Sequence, residues 1–252
     1  MHTLFLDAPY TGMVELSKDT LSYLKKKKIK IVALYASVQF VHLLEKVREQ
    51  LAALKIRVII SQPRRTHVSG QLLGCDNDKE ALNLSDEQFK NIDAFLYVGD
   101  GKFHPLALVF AQKDIPGQER KEILCNDPMA RKLTVMTAND TKKLLLQYRS
   151  SLMKFLSSER VGVIVTIKPG QQQLRAAYQL EKRFPDKKFY YFVDNVISFD
   201  QLENFPFIQT WVNTACPRIG LDDHEKFRNG VINLRDALQV DRVLGGKDDL
   251  SE

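Results

Sequence analysis

The sequence predicts an α/β fold: two similar domains of parallel sheet with flanking helices, related as repeats. Three observations predict it. Short, nearly continuous apolar runs at residues 29–35 and 94–98 have the pattern of strands covered on both faces, amphipathic stretches stand between such runs, and the alternation starts again near residue 160. Strands joined by crossover helices form parallel sheets with right-handed connections, so their carboxyl ends share one edge, and ligands gather at that edge.

In chain order, Leu4-Phe5-Leu6 opens a short strand, and Met13, Leu16, Leu21 and Leu24 recur at near-helical spacing over residues 12–24. After the strand at 29–35, Ser37 is placed to cap a helix whose apolar stripe is Phe40, Val41, Leu44, Val47, Leu51 and Leu54. Strands at 56–60 and 94–98 follow, separated by a loop that contains Cys75. A turn over residues 99–104 leads into an apolar helix, and a short strand near 122–124 runs into Asp127-Pro128. The residue before a proline is biased out of the helical region, which sets a domain boundary near 130. A long amphipathic helix over 140–158, a strand at 161–167, a helix over 172–183 and strands at 188–193 and 208–212 make up the second domain, 131–240. Residues 241–252 read as a polar tail.

With 252 residues, 44% of them hydrophobic and 27% charged, the chain has the composition of a globular protein with core enough to fold without staples. Three cysteines and a start without the basic and apolar segments of a secretory leader point to a reducing, cytoplasmic setting with free or metal-bound thiols. No window approaches the apolar length of a membrane span. The net charge of +6 is moderate: the run Lys25-Lys26-Lys27-Lys28 follows a helix whose negative end it compensates, and Arg64-Arg65 lacks interleaved aromatics. No membrane and no direct nucleic-acid partner is expected.

Cys75 and Cys216 each read as lying where a strand enters a turn, one in each half, so two thiolates from two halves are placed to converge on a soft metal. An iron-sulfur cluster or zinc usually needs three or four such ligands, and the count falls short. Cys125, near the close of the first half, reads first as a core thiol, with a place as third ligand left open. Gly99-Asp100-Gly101-Lys102-Phe103-His104 follows a strand and precedes a helix, where backbone N–H groups suit an anionic or zwitterionic ligand; plain turn chemistry accounts for the glycines equally. Lys168-Pro169-Gly170-Gln171 occupies the same kind of position in the second half. His104 reads as a base or ligand, or as a hydrogen-bonded structural residue. The sequence has no Cys-x-x-Cys, His-Glu-x-x-His or Gly-x-Ser-x-Gly, which leaves hydrolase and zinc-finger functions without local support.

Five ordered segments resemble the diphthamide synthase family in its archaeal form: Ser69-Gly70-Gln71-Leu72-Leu73-Gly74-Cys75, Tyr97-Val98-Gly99-Asp100-Gly101-Lys102-Phe103-His104, Asn126-Asp127-Pro128, Lys168-Pro169-Gly170-Gln171 and Asn213-Thr214-Ala215-Cys216-Pro217-Arg218-Ile219. The resemblance implies a 4Fe-4S cluster held by three cysteines from three similar α/β domains, with S-adenosylmethionine on the open iron. Cys75 and Cys216 match the second and third cluster ligands. It further implies cleavage of the sulfur to γ-carbon bond, giving a 3-amino-3-carboxypropyl radical that adds to a histidine of translation elongation factor 2. Gln71, Gly99, Asp100, Gly101, Lys102, His104, Gly170 and Gln171 are then expected around the S-adenosylmethionine site. Met1 falls about where the family's second domain begins, so a third cluster ligand from elsewhere is expected, supplied in a homo- or hetero-oligomer by a chain carrying the first domain. The alternative within this resemblance is a noncatalytic supporting or docking subunit. A zinc or redox protein using all three cysteines stands behind both, because their spacing is long.

Overall fold

The computed structural model describes residues 9–101, 103–115, 120–168, 170–221 and 227–245. The strand expected at 4–6, Lys102 and Pro169 lie outside them. The chain forms two compact units, the first extending through Thr141; Lys113 and the two residues after it group with the second.

The first unit opens with helix α1 (Lys18–Lys26), whose N-cap Ser17 accepts a hydrogen bond from the Thr20 N–H. The helix starts later than the expected 12–24 because Asn126 captures the preceding backbone. Its Oδ1 accepts from the Ser17 N–H at 2.9 Å and the Thr20 hydroxyl at 2.8 Å, and its Nδ2 donates to the Glu15 carbonyl at 3.1 Å. Strand β1 (Ile31–Ala36) leads to a single 3-10 turn (Val41–Leu43) and then helix α2 (Glu45–Ala53). Ser37 does not cap that helix with its side chain, as expected from sequence; its carbonyl instead accepts from the N–H groups of Phe40 and Val41. Strand β2 (Arg57–Ile59), helix α3 (Asp86–Asn91), strand β3 (Ala94–Val98), helix α4 (Phe103–Phe110) and strands β4 (Glu122–Asp127) and β5 (Lys132–Met136) complete the unit. The sheet order is β2-β1-β3-β4-β5. All pairs are parallel except β4 with β5, which run antiparallel with Asp127 opposite Lys132. The boundary expected near 130 falls in the turn between those two strands.

Alternation along the strands sorts two faces. Val32, Leu34, Ala36, Leu96, Val98 and Leu124 pack with Leu24, Val47 and Leu51 into one core cluster. The other face carries Tyr35, Tyr97 and Cys125 in one lateral row, since these residues are register partners on neighbouring parallel strands.

Helix α5 (Ala138–Ser157) leads into strand β6 (Arg160–Thr166), short helices α6 (Leu174–Ala177) and α7 (Gln179–Arg183), strand β7 (Lys188–Asp194), helix α8 (Phe199–Leu202) and strand β8 (Thr210–Asn213). Helix α9 (Arg218–Leu221), strand β9 (Val231–Asn233) and helices α10 (Leu234–Leu238) and α11 (Val240–Gly245) follow. This sheet is parallel throughout, in the order β7-β6-β8-β9. Setting β5 aside, both sheets place their second, first, third and fourth strands side by side, and this shared order is the repeat. Around Trp211 the second unit buries Ile164, Ile208, Phe227 and Val231. Among the described residues no helix is long and apolar enough to cross a membrane.

Candidate functional site

The Cys75 loop leaves β2 and returns along the carboxyl end of β1. Gln71 bridges Ala36 there: the Ala36 N–H donates to the Gly70 carbonyl at 2.8 Å, and the Leu72 N–H to the Ala36 carbonyl at 2.9 Å. Cys75 therefore lies in a turn of a long loop that borrows one bridge from the sheet, and not at the end of a strand of its own. Asp76, fully buried, accepts the Leu73 N–H at 3.0 Å and closes the turn around the cysteine. The thiol is free and half-buried. Burial raises its pKa and the Asp76 carboxylate adds to the rise, while the positive charge of the Arg65 guanidinium opposes both.

Gly74 fixes what this loop touches. A Cβ there would run into the tip of the Phe103 ring, so glycine lets the first side chain of α4 come up against the residue before Cys75. The loops that carry Cys75 and His104 are thus packed together within the first unit. The His104 ring stacks over Tyr97, centroids 6.3 Å apart, and burial lowers its pKa while Asp100 opposes that fall. Gly101 makes the turn at a φ of 69°, with open space where a side chain would project. The Gly99 N–H is already committed to the Asn126 carbonyl at 3.1 Å, so it is not a donor for a ligand. The Ser37 and Tyr97 hydroxyls are neighbours whose interaction bears on the acidity of Tyr97, yet neither has a partner at normal hydrogen-bond geometry. A cavity of about 370 Å³ borders this turn, lined by Gly99, Gly101, Cys125, Asp127, Thr134 and Met136 among others. Cys125 is buried on β4, and desolvation pushes its thiol up to about 12.

In the second unit Cys216 follows β8. The Asn213 side chain holds this turn from both ends: its Oδ1 accepts from the Ala215 N–H at 3.0 Å, and its Nδ2 donates to the Cys216 carbonyl at 2.9 Å and to Asn233 Oδ1 at 2.8 Å. The Cys216 thiol is free and half-buried. Exposed Gly170 and Gln171 follow β6, where the Gln171 N–H closes a turn on the Lys168 carbonyl. Since β6 and β8 are parallel neighbours, Gly170, Gln171 and Cys216 share the carboxyl edge of their sheet. In the repeat, the 99–104 turn corresponds to the Cys216 turn, each after a third strand, whereas Gly170 corresponds to Ser37 after a first strand. The likeness of the two glycine turns in sequence is therefore not a likeness of place.

Among the described residues no group of three His, Cys, Asp or Glu side chains is placed to hold a metal. The structure offers one accessible soft thiol at the edge of each sheet, each on a loop fixed by side-chain to backbone hydrogen bonds. Sequence reasoning missed Tyr97 as the support of His104; strand register, which stacks every second residue on one face, is the signal that finds it.

The family described as "Putative diphthamide synthesis protein" matches residues 5–242. The chain is 29% identical over 257 aligned residues to 2-(3-amino-3-carboxypropyl)histidine synthase of Pyrococcus horikoshii, covering 97% of this chain and 69% of that protein. It is 30% identical to subunit 1 of the corresponding synthase from Eremothecium gossypii, covering 76% of this chain and 42% of that subunit. Its fold matches the crystal structure of Dph2 from Pyrococcus horikoshii with a 4Fe-4S cluster at a TM-score of 0.68 and 26% identity, over 91% of this chain and 62% of that one. The chain thus spans only part of the length of these relatives. The order of its motifs, the doubled sheet and the match along nearly its whole length show that the chain belongs to the diphthamide synthesis protein family.

Proposed function

We propose that this chain is a component of the iron-sulfur transferase that moves a 3-amino-3-carboxypropyl group from S-adenosylmethionine to a histidine of translation elongation factor 2, the first step of diphthamide biosynthesis. The observation that carries this reading is the pair of free, half-buried thiols, Cys75 and Cys216, each on a braced loop at the carboxyl edge of its own sheet. Soft, accessible thiols free of disulfides are the donors an iron-sulfur cluster takes, which supports assigning Cys75 and Cys216 as two of its ligands. The third thiolate comes from outside the two units.

A 4Fe-4S cluster, when bound, supplies the electron that breaks the sulfur to γ-carbon bond of S-adenosylmethionine. This chain's part is to bind, orient and shield. Cys75 and Cys216 hold iron. Gln71, Gly99, Asp100, Gly101 and His104 border the S-adenosylmethionine site in the first unit, with Gly170 and Gln171 in the second; the open space in front of Gly101 and Gly170 lets a ligand approach the backbone. His104, kept from protonation by burial, meets the ligand as a neutral imidazole. In this reading the protein works in the cytoplasm, and the remaining ligand comes from a further domain on this or a partner chain.

The test is anaerobic incubation of the reconstituted chain, alone and with candidate partner chains, with reductant, S-adenosylmethionine and elongation factor 2, followed by mass analysis of the target histidine. The reading expects a 3-amino-3-carboxypropyl adduct that Cys75→Ser and Cys216→Ser abolish. A noncatalytic docking subunit is the second reading, since a shared fold does not by itself establish activity. It predicts an adduct that survives both substitutions.

A further inference from the structure

The Cys216 turn stands at one end of a buried polar chain within the second unit. At the other end is Asp236, whose two oxygens each meet a donor at 2.5 Å, Lys113 Nζ on one and the Tyr148 hydroxyl on the other. The Lys113 and Asp236 side chains are 7% and 4% exposed, so the cost of desolvating both charges offsets their attraction and the pair contributes little stability by itself. The Tyr148 oxygen in turn accepts the Asn233 N–H at 3.1 Å. Asn233 Oδ1 accepts from Asn213 Nδ2, and that same amide nitrogen grips the Cys216 carbonyl. Asn233 Nδ2 reaches the Pro217 carbonyl at 3.4 Å, on the far side of the cysteine.

We propose that Tyr148 and Asp236 are positioning residues for Cys216, acting through Asn233 and Asn213 to fix the 213–217 turn and hence the direction in which the sulfur is presented. The inference rests on the reading of Cys216 as an iron ligand. Lys113 keeps Asp236 in place as an acceptor, and Asp236 takes the only proton of the Tyr148 hydroxyl, which turns the phenolic oxygen's lone pair toward the Asn233 N–H. Burial and the neighbouring carboxylate hold the Tyr148 pKa well above its ordinary value, so the donor never ionises at working pH. Asn233 is thereby fixed in backbone as well as side chain, and it orients Asn213 with the Nδ2 toward Cys216 and the Oδ1 toward Ala215. A ligand-bearing loop needs such outer support, because a metal ligand is only as well placed as the groups behind it.

The test compares Tyr148→Phe and Asn233→Ala with the parent chain, and uses Val161→Ala as a control that softens the same sheet without touching the polar chain. In the metal-free protein the readout is the ratio of Cys216 to Cys75 alkylation rates, with the fluorescence of buried Trp211, the chain's one tryptophan, reporting the folding of the second unit. We expect that ratio to change by about tenfold in both variants and little in Val161→Ala, and iron loss to a chelator from the reconstituted protein to quicken by about tenfold, the low end for groups behind a metal ligand. An unchanged ratio in both variants, or an equal change in Val161→Ala, overturns the proposal. If Tyr148→Phe exposes Trp211, the second unit of that variant has unfolded and Asn233→Ala decides. Failure of the parent chain to take up iron with any partner contradicts the proposed function instead, and leaves the alkylation ratio to judge the positioning chain by itself.

Discussion

Burial separates the three cysteines more sharply than sequence context does. Cys125 is 8% exposed with its thiol pushed up to about 12, while Cys75 and Cys216 stand half-open on loops. At pH 8 a thiol of that acidity is ionised to about one part in ten thousand, and the thiolate is the reactive form. Iodoacetamide at pH 8 is therefore expected to label Cys75 and Cys216 in the folded chain and to spare Cys125 until urea is added, as read by peptide mass analysis; labelling of Cys125 at the rate of the other two contradicts the burial described. His104 gives a signed pH effect. Its folded pKa lies below the ordinary value of about 6.5, so below that pH the unfolded chain binds the proton more readily. Stability is then complete above about pH 6.5 and falls as pH drops through the ordinary value. His104→Gln removes that part of the slope, and urea midpoints of both proteins between pH 5 and 8 measure it; parallel curves refute the assignment. The sequence marked Cys75, Cys216 and His104 because their residue types are chemically distinctive. It did not mark Tyr97, an ordinary core aromatic until register sets it beneath His104.

At the scale of elements, the strands that sequence reads well are the ones buried on both faces. Residues 31–36, 94–98 and 160–166 are almost wholly buried, so an apolar run marks each without ambiguity. Strand β9 has three residues and helix α3 has six, too short for any period to show, although the Ser85 and Gln88 capping box was a readable sign of α3. The late start of α1 was not legible, because it is imposed by Asn126 from more than a hundred residues away. Asn126→Ala leaves the Ser17 N–H and the Glu15 carbonyl without this partner, and each such buried loss costs roughly 1 to 3 kcal/mol. We expect a destabilisation of about 2 to 4 kcal/mol by urea unfolding, on the same per-group figure; a loss below about 1 kcal/mol contradicts the role given to this side chain. Gly74→Ala tests the contact between two loops. Its methyl group meets the Phe103 ring, and such overpacking costs roughly 1 to 3 kcal/mol. Faster alkylation of Cys75 is expected to accompany the loss. An unchanged Cys75 rate shows that Phe103 does not hold the loop.

Across the whole molecule, repetition of one strand order is what links sequence to function. Each sheet presents its carboxyl edge to solvent-accessible loops, and each edge carries one free thiol, although the two thiols follow different strands of the repeat. The doubled α/β organisation was legible because the apolar alternation restarts, and the antiparallel β5 was not, since nothing in a strand's own residues states its direction. The central claim is that Cys75 and Cys216 ligate one iron-sulfur cluster. Anaerobic reconstitution with iron and sulfide, carried out on the chain alone and with candidate partner chains, measures it through visible charge-transfer absorption and Mössbauer spectra of the parent, Cys75→Ser, Cys216→Ser and Cys125→Ser proteins. The account predicts a cluster that Cys125→Ser retains and that either of the other two substitutions removes; a cluster that survives in Cys75→Ser or Cys216→Ser, or none under any condition, contradicts it.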